Sequence, residues 1–259
     1  MKALRKYLNN RELAISLLVE KPNHKYTSGT FHKLRVEIKK LDAFFALLKF
    51  CSKDFKRKKT FKPFKQIFLQ AGKIRELQIE EKMLKKYLPE ISLIDYLNYL
   101  KKLRLKEQEL FFSIVNKKMA VRLKNKYHEL VPLLSNINNK KANSYLARKT
   151  AKIKKLIGQG NLQAAQLHEL RKRLNMLKFN RKSLSLRKQN ISILKKDDFT
   201  VLLGQWHDSQ VIITHLNKTM ETAGLNQKEI IQLEKIKLKL SSDSETVFKK
   251  INSILPEYL

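Results

Sequence analysis

The chain is short of almost everything that staples or interrupts a fold. One cysteine, Cys51, in 259 residues excludes an intrachain disulfide and fits an intracellular protein. Six glycines and five prolines leave few turn signals, so long helices are expected rather than a loop-rich fold. No uncharged run is long and apolar enough to span a bilayer. The longest stretches, such as LIGQGNLQAAQLH at 156–168, are short and polar, which excludes membrane insertion and leaves only peripheral contact. The opening MKALRKYLNN has basic residues but no apolar segment before a small-residue cleavage site, so no secretory leader is expected. Zinc-ligand spacings, a glycine-rich loop with lysine and clustered metal-binding carboxylates are also missing. No metal, cofactor or catalytic centre is expected.

Negative charge is the other scarcity. Against 23 acidic residues stand 56 lysines and arginines, so the formal net charge is 56 − 23 = +33. Self-repulsion on that scale disfavours a compact state unless an anionic partner offsets it. With 42% hydrophobic residues the chain can nevertheless bury a proper core, and a disordered basic tail is excluded.

What is present is helical periodicity. Tracts such as residues 91–127 repeat apolar residues at three- and four-residue steps. Breaks are expected at 22–30, 51–60, 88–92, 136–143, 158–161, 189–198 and 224–227, which leaves about eight helices. The lysine-rich run KDFKRKKTFKPFK at 53–65 reads as a solvated loop or a patch for anionic partners. The asparagine-rich SNINNKKANS at 135–144 is the best joint between two halves, residues 1–138 and 139–259.

The halves look like copies of one another. FHKLRVEIKK at 31–40 and LHELRKRLNM at 167–176 align His32 with His168, Leu34 with Leu170, Arg35 with Arg171 and Ile38 with Leu174, at an offset of 136. Downstream, at an offset of 132, Gly72 aligns with Gly204, Glu76 with Asp208 and Gln78 with Gln210. Two ordered matches at nearly one offset indicate an internal duplication. The glycines are expected where another backbone approaches closely, and the acidic pair where basic side chains need holding.

On a helix, Phe31, Leu34, Ile38, Leu41 and Phe45 form one apolar stripe, and His32, Arg35 and Lys39 lie together on its shoulder. In the second copy Leu167, Leu170, Leu174 and Leu177 repeat the stripe. His168, Arg171, Lys178 and Lys182 repeat the shoulder, with Asn175 in the place of Lys39. Two such basic rails facing each other would line a cleft that needs an anion. Arginine offers phosphate oxygens a planar fork, lysine a mobile point charge, and protonated histidine a donor at both ring nitrogens.

These residues resemble the CHAD domain family, named for its conserved histidines in an alpha-helical domain. The family pattern, His-x-x-Arg-x-x-x-Lys followed by Leu-Gly-x-x-Arg-Asp and occurring twice, is similar to His32, Arg35 and Lys39 with Gly72, Arg75 and Glu76. Its second occurrence is similar to His168 and Arg171 with Gly204, His207 and Asp208. Lys39 becomes Asn175, and Arg75 becomes His207 beside the only tryptophan, Trp206. The resemblance implies an all-α fold of two four-helix bundles related by a pseudo-twofold axis around a basic central cleft. It also implies non-catalytic binding of inorganic polyphosphate, in the cytoplasm and on polyphosphate granules. No Glu-x-Glu-x-Lys strand signature of a CYTH domain occurs, so the resemblance is to the stand-alone form. The alternatives are a nucleic-acid binder, with weak nonspecific binding expected in any case, and a basic scaffold for anionic membranes or proteins.

Overall fold

The computed structural model describes residues 2–87, 92–184, 197–222 and 224–258, with backbone alone at 197 and 198. Among the described residues there are α-helices and short 3-10 segments and no strand. In order they are α1 (Lys2–Val19), α2 (Ser28–Cys51), α3 (Arg57–Leu84), α4 (Ile94–Ile114), α5 (Lys117–Leu130), α6 (Asn139–Ile157), α7 (Ala164–Ser183), α8 (Asp197–Thr222) and α9 (Gln227–Ile254). No helix among them is long and apolar enough to cross a membrane.

Among the described residues there are nine α-helices rather than about eight, because of a break the periodicity hides. The tract 91–127 divides at Val115 and Asn116 with no glycine or proline to mark it. Asn116 makes the break chemically: its side chain accepts from Met119 N at 3.0 Å and donates to Ser113 O at 3.0 Å, capping α5 while ending α4. The lysine-rich run is not a loop throughout, since α3 starts inside it at Arg57 and carries Pro63 in its second turn. Three phenylalanines of that run, Phe55, Phe61 and Phe64, pack edge-on against Phe45 with ring centroids 5.6 to 5.9 Å apart. That buried aromatic contact outweighs the one helical N–H that Pro63 lacks. The expected break at 189–198 falls mostly outside the described residues.

Every residue of the two apolar stripes is buried, from Phe31 through Phe45 on α2 and from Leu167 through Leu177 on α7. Truncating one such leucine to alanine costs about 2 to 5 kcal/mol, so these stripes fix where α2 and α7 lie. Two apolar cores result, and each draws on both halves of the chain. The larger joins α1, α2, α5, α6 and α7 with α3 from Phe64 to Ile74, Phe111 of α4, the first three turns of α8 and Ile251 of α9. The smaller is a four-helix cluster of Leu77 and Leu84 on α3, Tyr96 and Leu100 on α4, Ile212 and Leu216 on α8, and Leu233, Ile236 and Leu240 on α9.

Polar ties reinforce the smaller core. The buried carboxylate of Glu229 on α9 accepts from the backbone amides of Asp95 and Tyr96, each at 2.8 Å. The N-terminus of α4 is therefore capped by a helix more than 130 residues away in sequence. Glu80 on α3, 2% exposed, accepts from Tyr96 Oη at 2.5 Å and lies 2.6 Å from His215 Nδ1 on α8. The bond to Glu80 raises the His215 pKa even though burial opposes it. Its neighbour Glu81 faces away, pairing with Arg104 at 2.6 Å and Lys85 at 2.9 Å.

Candidate anion-binding cleft

Packing of α2 against α7 sets the two His-x-x-Arg motifs on facing walls. Between them opens a cavity of about 440 Å³. Arg35 and Lys39 line it from α2, and His168, Arg171 and Lys172 from α7. His207 reaches in from α8, and Phe68 with Glu76 from α3.

Arg35 is held in a built cradle. Its Nη1 donates to the carbonyl of Phe68 at 2.9 Å, and its guanidinium lies 4.3 Å from the centroid of the Phe68 ring. The cradle depends on Gly72, one helical turn beyond Phe68, because a Cβ there would collide with Arg35 Nη1. Gly72 thus admits a side chain, not the backbone the sequence suggested. Gly204 is different again: nothing lies within 4 Å of where its Cβ would stand. At the offset that pairs the glycines, Phe68 corresponds to Thr200, so the second half lacks the aromatic ring of that cradle. Arg171 is drawn by the Asp208 carboxylate instead.

On the opposite wall two imidazoles meet. His168 and His207 lie with ring centroids 4.8 Å apart. Burial, then Arg171, His168, Lys39 and Lys172, push His207 down to about 4, so it is uncharged at neutral pH in the empty cleft. His168 is lowered by burial and by Lys172 and Arg171. His32 is lowered by burial and then by Arg75, Lys39 and Arg35. Lys39 is driven down to about 8 by burial, with Arg35 and Arg171 adding to it. Burial also lowers Arg35 and Arg171. The cleft is a place where positive charge is crowded and partly withdrawn from water.

Few carboxylates answer that crowd. Asp42 also lines the cavity but is engaged by Arg57 at 2.5 Å. Burial raises the pKa of Glu76, against the pull of Arg35. Asp208 is raised by burial while Arg171, Arg75, Lys39 and His32 all pull it down, so it stands among cations as the sequence reading expected. Among the described residues no group of three His, Cys, Asp or Glu side chains converges as metal ligands.

The sequence-predicted residues divide. Arg35, Lys39, His168, Arg171 and His207 come together in the cleft. His32 and Arg75 sit beside it, sharing a field with Asp208, and Arg75 Nε is buried without a hydrogen-bond partner among the described residues. Lys178 and Lys182 are exposed and do not line it. They keep the azimuth of Arg171 but stand 7 and 11 residues on, about 10 and 16 Å further along the helix. Phe68, Met176 and Phe179 line the cavity without having been expected there. Phe68 had a readable signal in its i, i+4 spacing to Gly72.

A family model described as CHAD domain matches residues 17–217. The chain belongs to the CHAD domain family. Among solved structures, the crystal structure of the CHAD domain from the plant Ricinus communis superposes with a TM-score of 0.75. The match covers 98% of this chain and 90% of that one at 14% identity, a likeness of fold. No curated protein matches the sequence. The CHAD resemblance read from the twin motifs thus holds for the family and its all-α fold, and the departures at Asn175 and His207 fall on cleft-lining positions.

Proposed function

We propose that this CHAD protein binds inorganic polyphosphate, without turnover, in the cleft between α2 and α7. The observation that carries the reading is the convergence of Arg35, Lys39, Arg171 and Lys172 on one cavity of about 440 Å³. Burial there lowers the pKa of Lys39, Arg35 and Arg171, and repulsion from neighbouring cations adds to it at Lys39 and Arg35. Such an arrangement is costly when empty and is repaid by an anion whose charges lie close together. Phosphate oxygens suit this donor set, and nothing in it is arranged to read a base edge.

The matched pairs His32 with His168, Arg35 with Arg171, and Gly72 with Gly204 support an internal duplication with its joint near residue 138. In this reading the two copies supply opposite walls of one site, and α5 is an addition to the first.

Competition decides between polyphosphate and nucleic acid. A labelled long polyphosphate chain is displaced at physiological salt by unlabelled polyphosphate, single-stranded RNA or duplex DNA. Polyphosphate is expected to compete best, whereas bulk charge alone gives comparable and strongly salt-weakened competition by all three. Equal competition would promote the nucleic-acid reading.

A further inference from the structure

The stripe of α2 that lines the cleft does not stop there. Arg35, Lys39, Asp42 and Ala43 face the first cavity, and Ala46, Lys49 and Phe50 continue the same three- and four-residue spacing into a second pocket of about 280 Å³. Five cations line that pocket: Lys49, Arg57, Arg148, Lys149 and Lys152, from α2, α3 and α6. Among the described residues no carboxylate lines it. Aromatic rings support two of them. The Arg148 guanidinium stands 5.4 Å from the Phe50 ring centroid, and Lys149 Nζ stands 5.3 Å from that of Tyr145. The Tyr145 hydroxyl is fixed in turn by Asn180 Nδ2 at 3.1 Å.

At the boundary stands one ion pair, Asp42 facing the cleft and Arg57 facing the pocket. Asp42 is thereby neutralised where a polyanion would otherwise be repelled. The crowding is real, because burial and then Lys152, Arg57 and Arg173 depress the Lys149 pKa, with Glu169 alone opposing. From Lys39 to Lys49 is ten residues, about 15 Å along the helix, which a short oligophosphate cannot bridge.

We infer that this pocket is a second station for the same ligand: a long polyphosphate chain seated in the cleft continues along α2 into the groove formed by Lys49, Arg57, Arg148, Lys149 and Lys152. The inference rests on the cleft binding polyphosphate. It adds that affinity grows with chain length, because the second engagement is intramolecular once the first is made.

The test uses the full chain with Lys49, Arg148 and Lys152 replaced by Gln, and two ligands: polyphosphate of more than about a hundred units, and tripolyphosphate. All three residues are exposed, so the fold should survive, which thermal melting checks. A control of equal charge change replaces Lys101, Lys102 and Lys106 on α4 by Gln. Long-chain affinity should fall at least about tenfold in the groove variant and change less than about threefold in the control, with tripolyphosphate affinity within about twofold of wild type in both. Unchanged long-chain binding, or an equal loss in the control, would overturn the groove. An equal loss of both ligands in the groove variant would also overturn it, by making the pocket part of the cleft. Failure of the unaltered protein to bind either ligand is a different result, which sinks the cleft and the groove together.

Discussion

Arg35 and Arg171 occupy matching places in twin motifs and meet different surroundings. Arg35 is clamped by a carbonyl and an aromatic ring over a glycine cut to fit it, whereas Arg171 faces the cleft drawn by a carboxylate. Beside Arg171 stand two imidazoles that are largely neutral when the cleft is empty. One wall therefore presents a pre-placed arginine, and the other adds the conditional charge of two imidazoles to Arg171 and Lys172. Matched sequence sets the residue types, and local packing decides what each of the two arginines meets. A pre-placed donor loses less freedom on binding, so the two walls should contribute unequally.

The largest expected effect is Arg35→Ala, which should weaken polyphosphate binding by about 1.5 to 3 kcal/mol, the range for hydrogen bonds to charged groups. Arg171→Ala should also weaken it, by less than Arg35→Ala. Titration calorimetry on both variants checks the order, and equal losses would erase the contrast between the walls.

Next comes Gly72→Ala against Gly204→Ala. An added methyl at 72 must push the Arg35 guanidinium off the Phe68 carbonyl. Affinity should drop by about 1 kcal/mol, one hydrogen bond's worth, with the fold retained. At 204 the methyl meets open space, so affinity should hold and helix propensity should raise stability by about 0.5 to 1 kcal/mol. Parallel binding and melting curves separate the two outcomes, and a binding loss at 204 would mean that the second glycine also serves the site.

A smaller effect concerns pH. His207 sits near 4 in the empty protein, below the unfolded value of about 6.5. Between those values the unfolded chain binds more protons, so the free protein should lose stability as pH falls from about 6.5 toward 4. Bound phosphates reverse the preference by favouring imidazolium, so the complex takes up protons and affinity should rise as pH falls from about 6.5 toward 4. Replacing His168 and His207 by Gln should remove most of that rise, and His32→Gln, beside the cleft rather than lining it, should remove less. A profile unchanged in the double variant would return these histidines to packing.

The fold was legible where one physical rule governs. Leu34, Ile38, Leu170 and Leu174 could be assigned to the core from spacing alone, because helical geometry leaves them no other face. The rule failed where a side chain from elsewhere decided the matter. Asn116 caps a helix inside an unbroken apolar pattern, Pro63 stays helical because Phe64 and its neighbours are buried on Phe45, and Glu229 caps α4 from the far end of the chain. In the site, chemistry was readable at Arg35, Lys39, His168 and Arg171. Lys178 and Lys182 share the azimuth of Arg171 but stand beyond the cavity lining, since azimuth repeats along a helix while a cavity ends. The gap between Gly72 and Gly204 was unreadable, because a glycine in sequence does not say what lies over it.

The most direct test of the cleft is the titration of His207 itself. Its imidazole can be followed by NMR in the free protein and with saturating long polyphosphate at constant ionic strength. A chain seated between α2 and α7 places phosphate charge beside the His168 and His207 pair, so the His207 pKa should climb from about 4 by at least about one unit, with His168 rising alongside. An unchanged His207 titration in a complex that is demonstrably formed would put the polyphosphate elsewhere on the protein and contradict the account.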